Sequence, residues 1–156
     1  MTPRPGDRIL VSACLLGVNC RYDGGEKRHD GVIAHLREHA LVAVPVCPEQ
    51  LAGLPTPRPQ TEFSEGDGAA LLANRGRVTS IHGTDMSRRF IQGARETLKV
   101  AQICACTCAL LKERSPSCGV RQIYRRGQIV SGMGVTAALL EQNGLRLMSE
   151  EDLARE

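Results

Sequence analysis

Three apolar runs in this chain each lead to a cysteine, and no other feature restricts the fold as strongly. They are Ile9-Leu10-Val11-Ser12-Ala13-Cys14, Leu41-Val42-Ala43-Val44-Pro45-Val46-Cys47, and the stretch 103–111, which continues through Lys112-Glu113-Arg114-Ser115-Pro116-Ser117 to Cys118. Short, nearly continuous apolar runs rich in β-branched residues suit strands buried on both faces of a parallel sheet. As neighbouring parallel strands they would deliver three thiols to the carboxyl edge of one sheet, where open α/β folds place their ligands. That edge is a candidate metal or cluster site.

Helical patterns separate the runs. A first strand at 8–13 is followed by a helix at 31–39, marked by Val32, Ile33, Leu36 and Ala40, and then by a buried second strand at 41–46. Pro45, Pro48, Pro55, Pro57 and Pro59 argue against helix or central strand beyond it, so the spacing predicts a long loop from Cys47 to about Gly68. Gly83-Thr84-Asp85 supplies an N-cap for the longest helix, whose face Phe90, Ile91, Ala94, Leu98 and Ala101 runs to about 102 and feeds a third strand at 103–110. A hairpin follows, 121–124 to 128–130 across Gly127, then a helix at 134–143 ended by Gly144 and a last strand at 145–148. This alternation implies right-handed crossovers and an α/β fold. The expectation is a single three-layer domain, residues 1–156, with a mainly parallel Rossmann-like sheet of about four strands.

At 156 residues the chain buries about 70% of its unfolded surface, so a disulfide scaffold is unnecessary. The formal net charge of +3 is spread along the chain, and Tyr22, Phe63, Phe90 and Tyr124 are the whole aromatic complement. Few stacking platforms and no basic run argue against macromolecular nucleic acid as a partner. The amino-terminal apolar run is too short for a signal-peptide core, and no stretch approaches the roughly 18–20 apolar residues of a membrane helix. A cytoplasmic protein with no membrane partner is expected, its cysteines serving as thiols, ligands or core atoms.

No Cys-x-x-Cys pair occurs among Cys14, Cys20, Cys47, Cys104, Cys106, Cys108 and Cys118, which argues against a zinc ribbon, a thioredoxin motif or a ferredoxin run. Any site must be assembled by the fold. Cys104, Cys106 and Cys108 alternate along the predicted third strand and so would pack as core from one face. Cys14, Cys47 and Cys118 sit instead at strand-to-loop transitions beside Gly17, Pro48 and Gly119, where three-thiolate ligation competes with unremarkable half-buried thiols. Cys20 is a fourth ligand, a persulfide acceptor or a packed loop residue.

Two glycine-rich segments need sorting. Arg21-Tyr22-Asp23-Gly24-Gly25 can cradle a ribose or phosphate through backbone N–H groups, with Arg21 or Arg58 as counter-charge, or can be a flexible polar loop. Gly132-Met133-Gly134-Val135-Thr136-Ala137 matches a dinucleotide fingerprint but leaves too little chain after it to complete a βαβ unit. The histidines His29, His35, His39 and His82 form no paired metal motif.

Five ordered segments carry a resemblance: Ser12-Ala13-Cys14-Leu15-Leu16-Gly17, Cys20-Arg21-Tyr22-Asp23-Gly24, Pro45-Val46-Cys47-Pro48-Glu49-Gln50, Leu54-Pro55-Thr56-Pro57-Arg58 and Leu111-Lys112-Glu113-Arg114-Ser115-Pro116-Ser117-Cys118-Gly119. Together they resemble the thiouracil desulfidase family over nearly the whole chain. The resemblance implies an oxygen-sensitive 4Fe-4S cluster held by Cys14, Cys47 and Cys118, with one iron not ligated by protein. It implies non-redox, hydrolytic removal of sulfur from thiouracil or a thiouridine nucleotide, giving uracil or uridine and hydrogen sulfide. Glu49 and Ser115 fall on the family's catalytic acid and hydroxyl, and Arg21, Asp23, Gly24, Arg58 and Ser117 are the candidate substrate contacts. The departure is Cys104-Ala105-Cys106-Thr107-Cys108, where an aliphatic strand is usual and where extra thiols could mis-ligate iron.

Two other classes compete. One is a structural or electron-transfer protein in which Cys20 completes four-cysteine coordination, and the other is a metal-free nucleotide-binding module.

Overall fold

A computed structural model describes residues 2–153. The chain runs β1 (Arg8–Ser12), α1 (Asp30–Glu38), β2 (Val42–Val46), α2 (Pro48–Leu51), β3 (Thr61–Glu65), α3 (Gly68–Leu72), β4 (Arg77–Ser80), α4 (Ser87–Ile103), β5 (Cys108–Leu111), β6 (Gln122–Arg125), β7 (Gln128–Ser131), α5 (Val135–Gln142), β8 (Arg146–Ser149) and α6 (Glu150–Leu153).

The apolar runs pair as the α/β reading requires. They form a four-stranded sheet in the order β2-β1-β5-β8, parallel throughout. Alternate side chains leave opposite faces. Ile9, Val11, Cys108 and Leu110 pack with Val32 and Leu36 of α1, while Leu10, Ala109 and Leu111 pack with Ala101 of α4 and with Ala137 and Leu140 of α5. Helices therefore cover both faces and give three layers. The register sets Ser12 opposite Val46 and Val11 opposite Leu110, so β1, β2 and β5 end nearly level. Among the described residues no helix is long and apolar enough to cross a membrane.

A second sheet, in the order β4-β3-β6-β7, was only partly foreseen as the 121–130 hairpin. Its apolar residues Phe63, Val78 and Ile123 close a third core cluster against Leu71, Phe90, Ala94 and Val135. The predicted loop from Cys47 to Gly68 is corrected accordingly: it holds α2 and the central strand β3. Proline permits both, since Pro48 occupies the first turn of α2, where no intrahelical partner for its nitrogen is needed, and Pro59 lies before β3.

Two strand expectations also change. The second strand is an edge strand with much of its surface exposed, and an edge tolerates Pro45 because one side has no ladder to complete. The third strand begins at Cys108, not 103, because α4 runs on to Ile103 and closes with Ala105 N donating to Gln102 O and Cys106 N to Ala101 O. Cys104, Cys106 and Cys108 therefore do not alternate on one strand. Cys106 packs on the α4–α5 face and Cys108 on the α1 face, at the amino edge of the sheet.

Candidate functional site

The three loop-borne cysteines meet at the carboxyl edge. After β1 a single 3-10 turn, Ala13–Leu16, seats Cys14 against the core and ends at Gly17, whose positive φ of 95° reverses the chain. Cys47 is the N-cap of α2, and α2 is drawn close to α4 at Gly93, where a Cβ would stand 3.0 Å from the Pro48 carbonyl carbon. Cys118 arrives on the loop after β5. Cys14, Cys20, Cys47 and Cys118 all line one cavity of about 340 Å³.

The thiols are electrostatically unequal. Cys20 is buried beside Cys14 and Cys47, and the interaction of its thiol with theirs lowers those two and raises its own pKa, while Cys47 Sγ donates to the Cys20 carbonyl at 3.6 Å. Cys14 is lowered first by Cys20 and further by the charges of Arg21 and Lys112. Cys47 falls from 9.0 to about 6, again led by Cys20 and helped by Arg58. Burial dominates at Cys118 and pushes its thiol up, although the Ser12 hydroxyl opposes the shift.

Glu49 and Ser115 line the same cavity. Glu49 Oε1 accepts from Arg58 Nε at 2.9 Å, and Oε2 accepts from Ser117 Oγ at 3.3 Å. Ser115 Oγ accepts from the N–H groups of Ser117 and Cys118, both at 3.1 Å, so its own proton remains available as a donor.

Of the proposed substrate contacts, Arg21 and Arg58 line the cavity, and they differ in kind. The Arg58 side chain is 5% exposed, and all five of its N–H donors have protein acceptors. Arg21 leaves its buried Nε without a hydrogen-bond partner. Among the described residues, neither Arg21 nor the cavity-lining Lys27 has a carboxylate in ion-pair range, whereas Arg58, Lys112 and Arg114 are paired with Glu49, Glu150 and Glu151. Asp23 and Gly24 lie outside the lining: Asp23 Oδ1 accepts from Gly25 N at 2.8 Å, and Gly24 N donates to Arg21 O at 2.9 Å, so they form the turn that presents Arg21 and Tyr22. Ser117 is buried and reaches the site through Glu49.

The anchors of the Cys118 loop were missed from sequence. Glu113, 3% exposed, accepts at Oε1 from Val120, Arg121 and Gln122 N–H groups at 2.8, 2.9 and 3.1 Å. Glu150 Oε1 accepts from Glu113 N at 2.7 Å while its Oε2 pairs with Lys112 at 2.9 Å. An acidic residue in a polar stretch gives no sequence signal of burial. The dinucleotide-like glycines belong here too: Gly134 N donates to Gly119 O, Val135 N to Pro116 O and Thr136 N to Ser117 O, so α5 buttresses this loop.

Known proteins resemble this chain along nearly its whole length. The 2-thiouracil desulfurase family profile matches residues 9–152. The uncharacterized protein YbbK of Bacillus subtilis (strain 168) is 39% identical over 148 residues, covering 93% of this chain and 97% of its own. The solved structure of TudS, a [4Fe-4S]-dependent thiouracil desulfidase, is 38% identical with a TM-score of 0.78, covering 96% of this chain and 94% of its own. The profile spans almost the entire chain, and the relatives align along nearly all of it: this protein belongs to the 2-thiouracil desulfurase family.

Proposed function

We propose that the protein is a [4Fe-4S]-dependent thiouracil desulfidase, acting by hydrolysis without net redox chemistry on thiouracil or a thiouridine nucleotide. One observation carries this reading: Cys14, Cys47 and Cys118, from three separate loops, line one cavity together with Glu49. The donor set fits a cluster. A cubane takes one thiolate per iron, and Cys14, Cys47 and Cys118 each reach the same cavity from a different loop. Cys14, Cys47 and Cys118 would hold it, and when bound it supplies one iron without a protein thiolate, a Lewis acid matched to a soft thiocarbonyl sulfur.

The remaining roles fall to this chain's own groups. Glu49 takes a proton from the attacking water at Oε2, because Oε1 is held by Arg58. Ser115 donates its free proton to the ring or to the leaving sulfur, which departs as hydrogen sulfide. A cavity of about 340 Å³ suits a small molecule rather than a polynucleotide. Among the described residues Arg21 and Lys27 are the cations of its wall with no carboxylate partner, and they favour a substrate with a phosphate. The cytoplasm, where thiols stay reduced, is the compartment that suits this chemistry.

The test is anaerobic reconstitution followed by iron and sulfide counts and a thiouracil and thiouridine nucleotide assay. Glu49→Ala is expected to keep the cluster and lose roughly 100-fold or more in turnover. A cluster-bearing Glu49→Ala that remains fully active would sink the assignment of Glu49, and wild type that takes up zinc alone or no metal would sink the function. Cys20→Ala is expected to keep its iron, and losing it would favour four-cysteine coordination instead.

A further inference from the structure

Arg58 is the most constrained charged side chain at the site. Its Nε donates to Glu49 Oε1 at 2.9 Å; Nη1 donates to Pro55 O at 3.2 Å and Thr56 Oγ1 at 3.0 Å; Nη2 donates to Cys20 O at 2.8 Å and reaches Cys47 Sγ at 4.0 Å. Its backbone N donates to Tyr22 O at 2.8 Å, and Thr56 Oγ1 also accepts from Gln50 Nε2 at 2.8 Å. No N–H remains for a substrate anion, which removes Arg58 from the substrate contacts. What the fork does instead is tie the loop of Cys20, the start of α2 and the proline-rich loop to a single carboxylate.

Resting on the desulfidase reading, we propose that Arg58 is a positioning residue for Glu49, fixing which carboxylate oxygen faces the reacting water. Glu49 has three rotatable bonds and sits in a wall only 14% exposed at its side chain. Left alone it would sample several rotamers, some out of reach of the cavity centre. The guanidinium occupies Oε1 from one side and Ser117 Oγ approaches Oε2 at 3.3 Å from the other, so the carboxylate plane is set by two donors on separate loops. A lysine keeps the charge but loses the planar fork, and with it the simultaneous hold on Glu49, Thr56 and Cys20.

A purely structural staple and a positioning residue predict different data. Reconstituted Arg58→Ala and Arg58→Lys are expected to retain wild-type iron per chain and wild-type KM for the thiobase. Their kcat is expected to fall by about 100-fold, the usual loss when a reacting group is misplaced by an ångström. Glu49→Ala/Arg58→Ala is expected to be no slower than Glu49→Ala alone, because nothing remains to position. Methylguanidine at millimolar concentration is expected to bind Arg58→Ala apoprotein saturably by calorimetry and to restore turnover in the loaded variant, while wild type shows neither effect.

Full kcat in either single variant, iron lost in step with activity, or additive losses in the double variant would each overturn the proposal while leaving the desulfidase reading intact. An inactive, fully loaded wild type would instead remove that reading, and this proposal with it. Should Arg58→Ala fail to fold, Arg58→Lys carries the kinetic and iron measurements.

Discussion

Gly134 lies against the backbone of Cys118: a Cβ at position 134 would stand 2.7 Å from the Cys118 nitrogen and closer still to the Ser117 carbonyl carbon. Backbone cannot yield as a flexible side chain does. Gly134→Ala is expected to cost about 3 kcal/mol, a fall of roughly 10 °C in Tm for a chain of this size, and to reduce iron uptake because the Cys118 loop must shift. Calorimetry and iron counts check both, and an unchanged Tm would refute the tight packing.

The thiol of Cys47 gives a pH signature. Its pKa falls from the ordinary 9.0 to about 6, so between these values the unfolded chain binds more protons than the folded one. Stability from this group is therefore fully present above about pH 9, declines as pH drops, and is gone below about 6. In metal-free protein under argon, iodoacetamide should label Cys47 with a midpoint near pH 6, while Cys118, raised by burial, stays unlabelled near neutrality. Peptide mapping reads the order directly.

Unpaired cations should sort substrates by charge. Arg21→Ala is expected to raise KM for a thiouridine monophosphate about tenfold while changing KM for free thiouracil less than twofold, as loss of one charge-assisted hydrogen bond predicts. Lys27→Ala should act in the same sense. Equal losses for base and nucleotide would remove the phosphate role.

At the amino edge of the sheet, Ala105 holds a left-handed φ of 56° where α4 closes. Glycine adopts that geometry without the Cβ clash, so Ala105→Gly is expected to stabilise the fold by about 1 kcal/mol, or roughly 2–4 °C in Tm. Desulfidase activity should not change, because this turn lies across the sheet from the cavity. A lower Tm would contradict the closure described for α4.

The central sheet was legible because its strands are long apolar runs whose ends carry turn formers, and the same logic located Cys14, Cys47 and Cys118. The second sheet was not. β3 and β4 each have a single fully buried large apolar residue, Phe63 and Val78, too little for an alternating pattern to show, and their strand character comes from pairing across the fold. Ile103 misled through its β-branched side chain, since it ends a helix and is 81% exposed. Glu113, Glu150 and Arg58 look like solvated charges in sequence, and only their tertiary partners make their burial affordable.

The direction of the parallel strands also sorts the cysteines. Along the unfolded chain the seven thiols are interchangeable, with Cys104, Cys106 and Cys108 the densest group among them. Once the sheet forms, that group is carried to the amino edge, with Cys106 and Cys108 buried, while the opposite edge presents a cavity lined by Cys14, Cys20, Cys47 and Cys118. Folding thus acts as a sorting step, gathering four thiols around one cavity and setting the other three at the far end of the molecule.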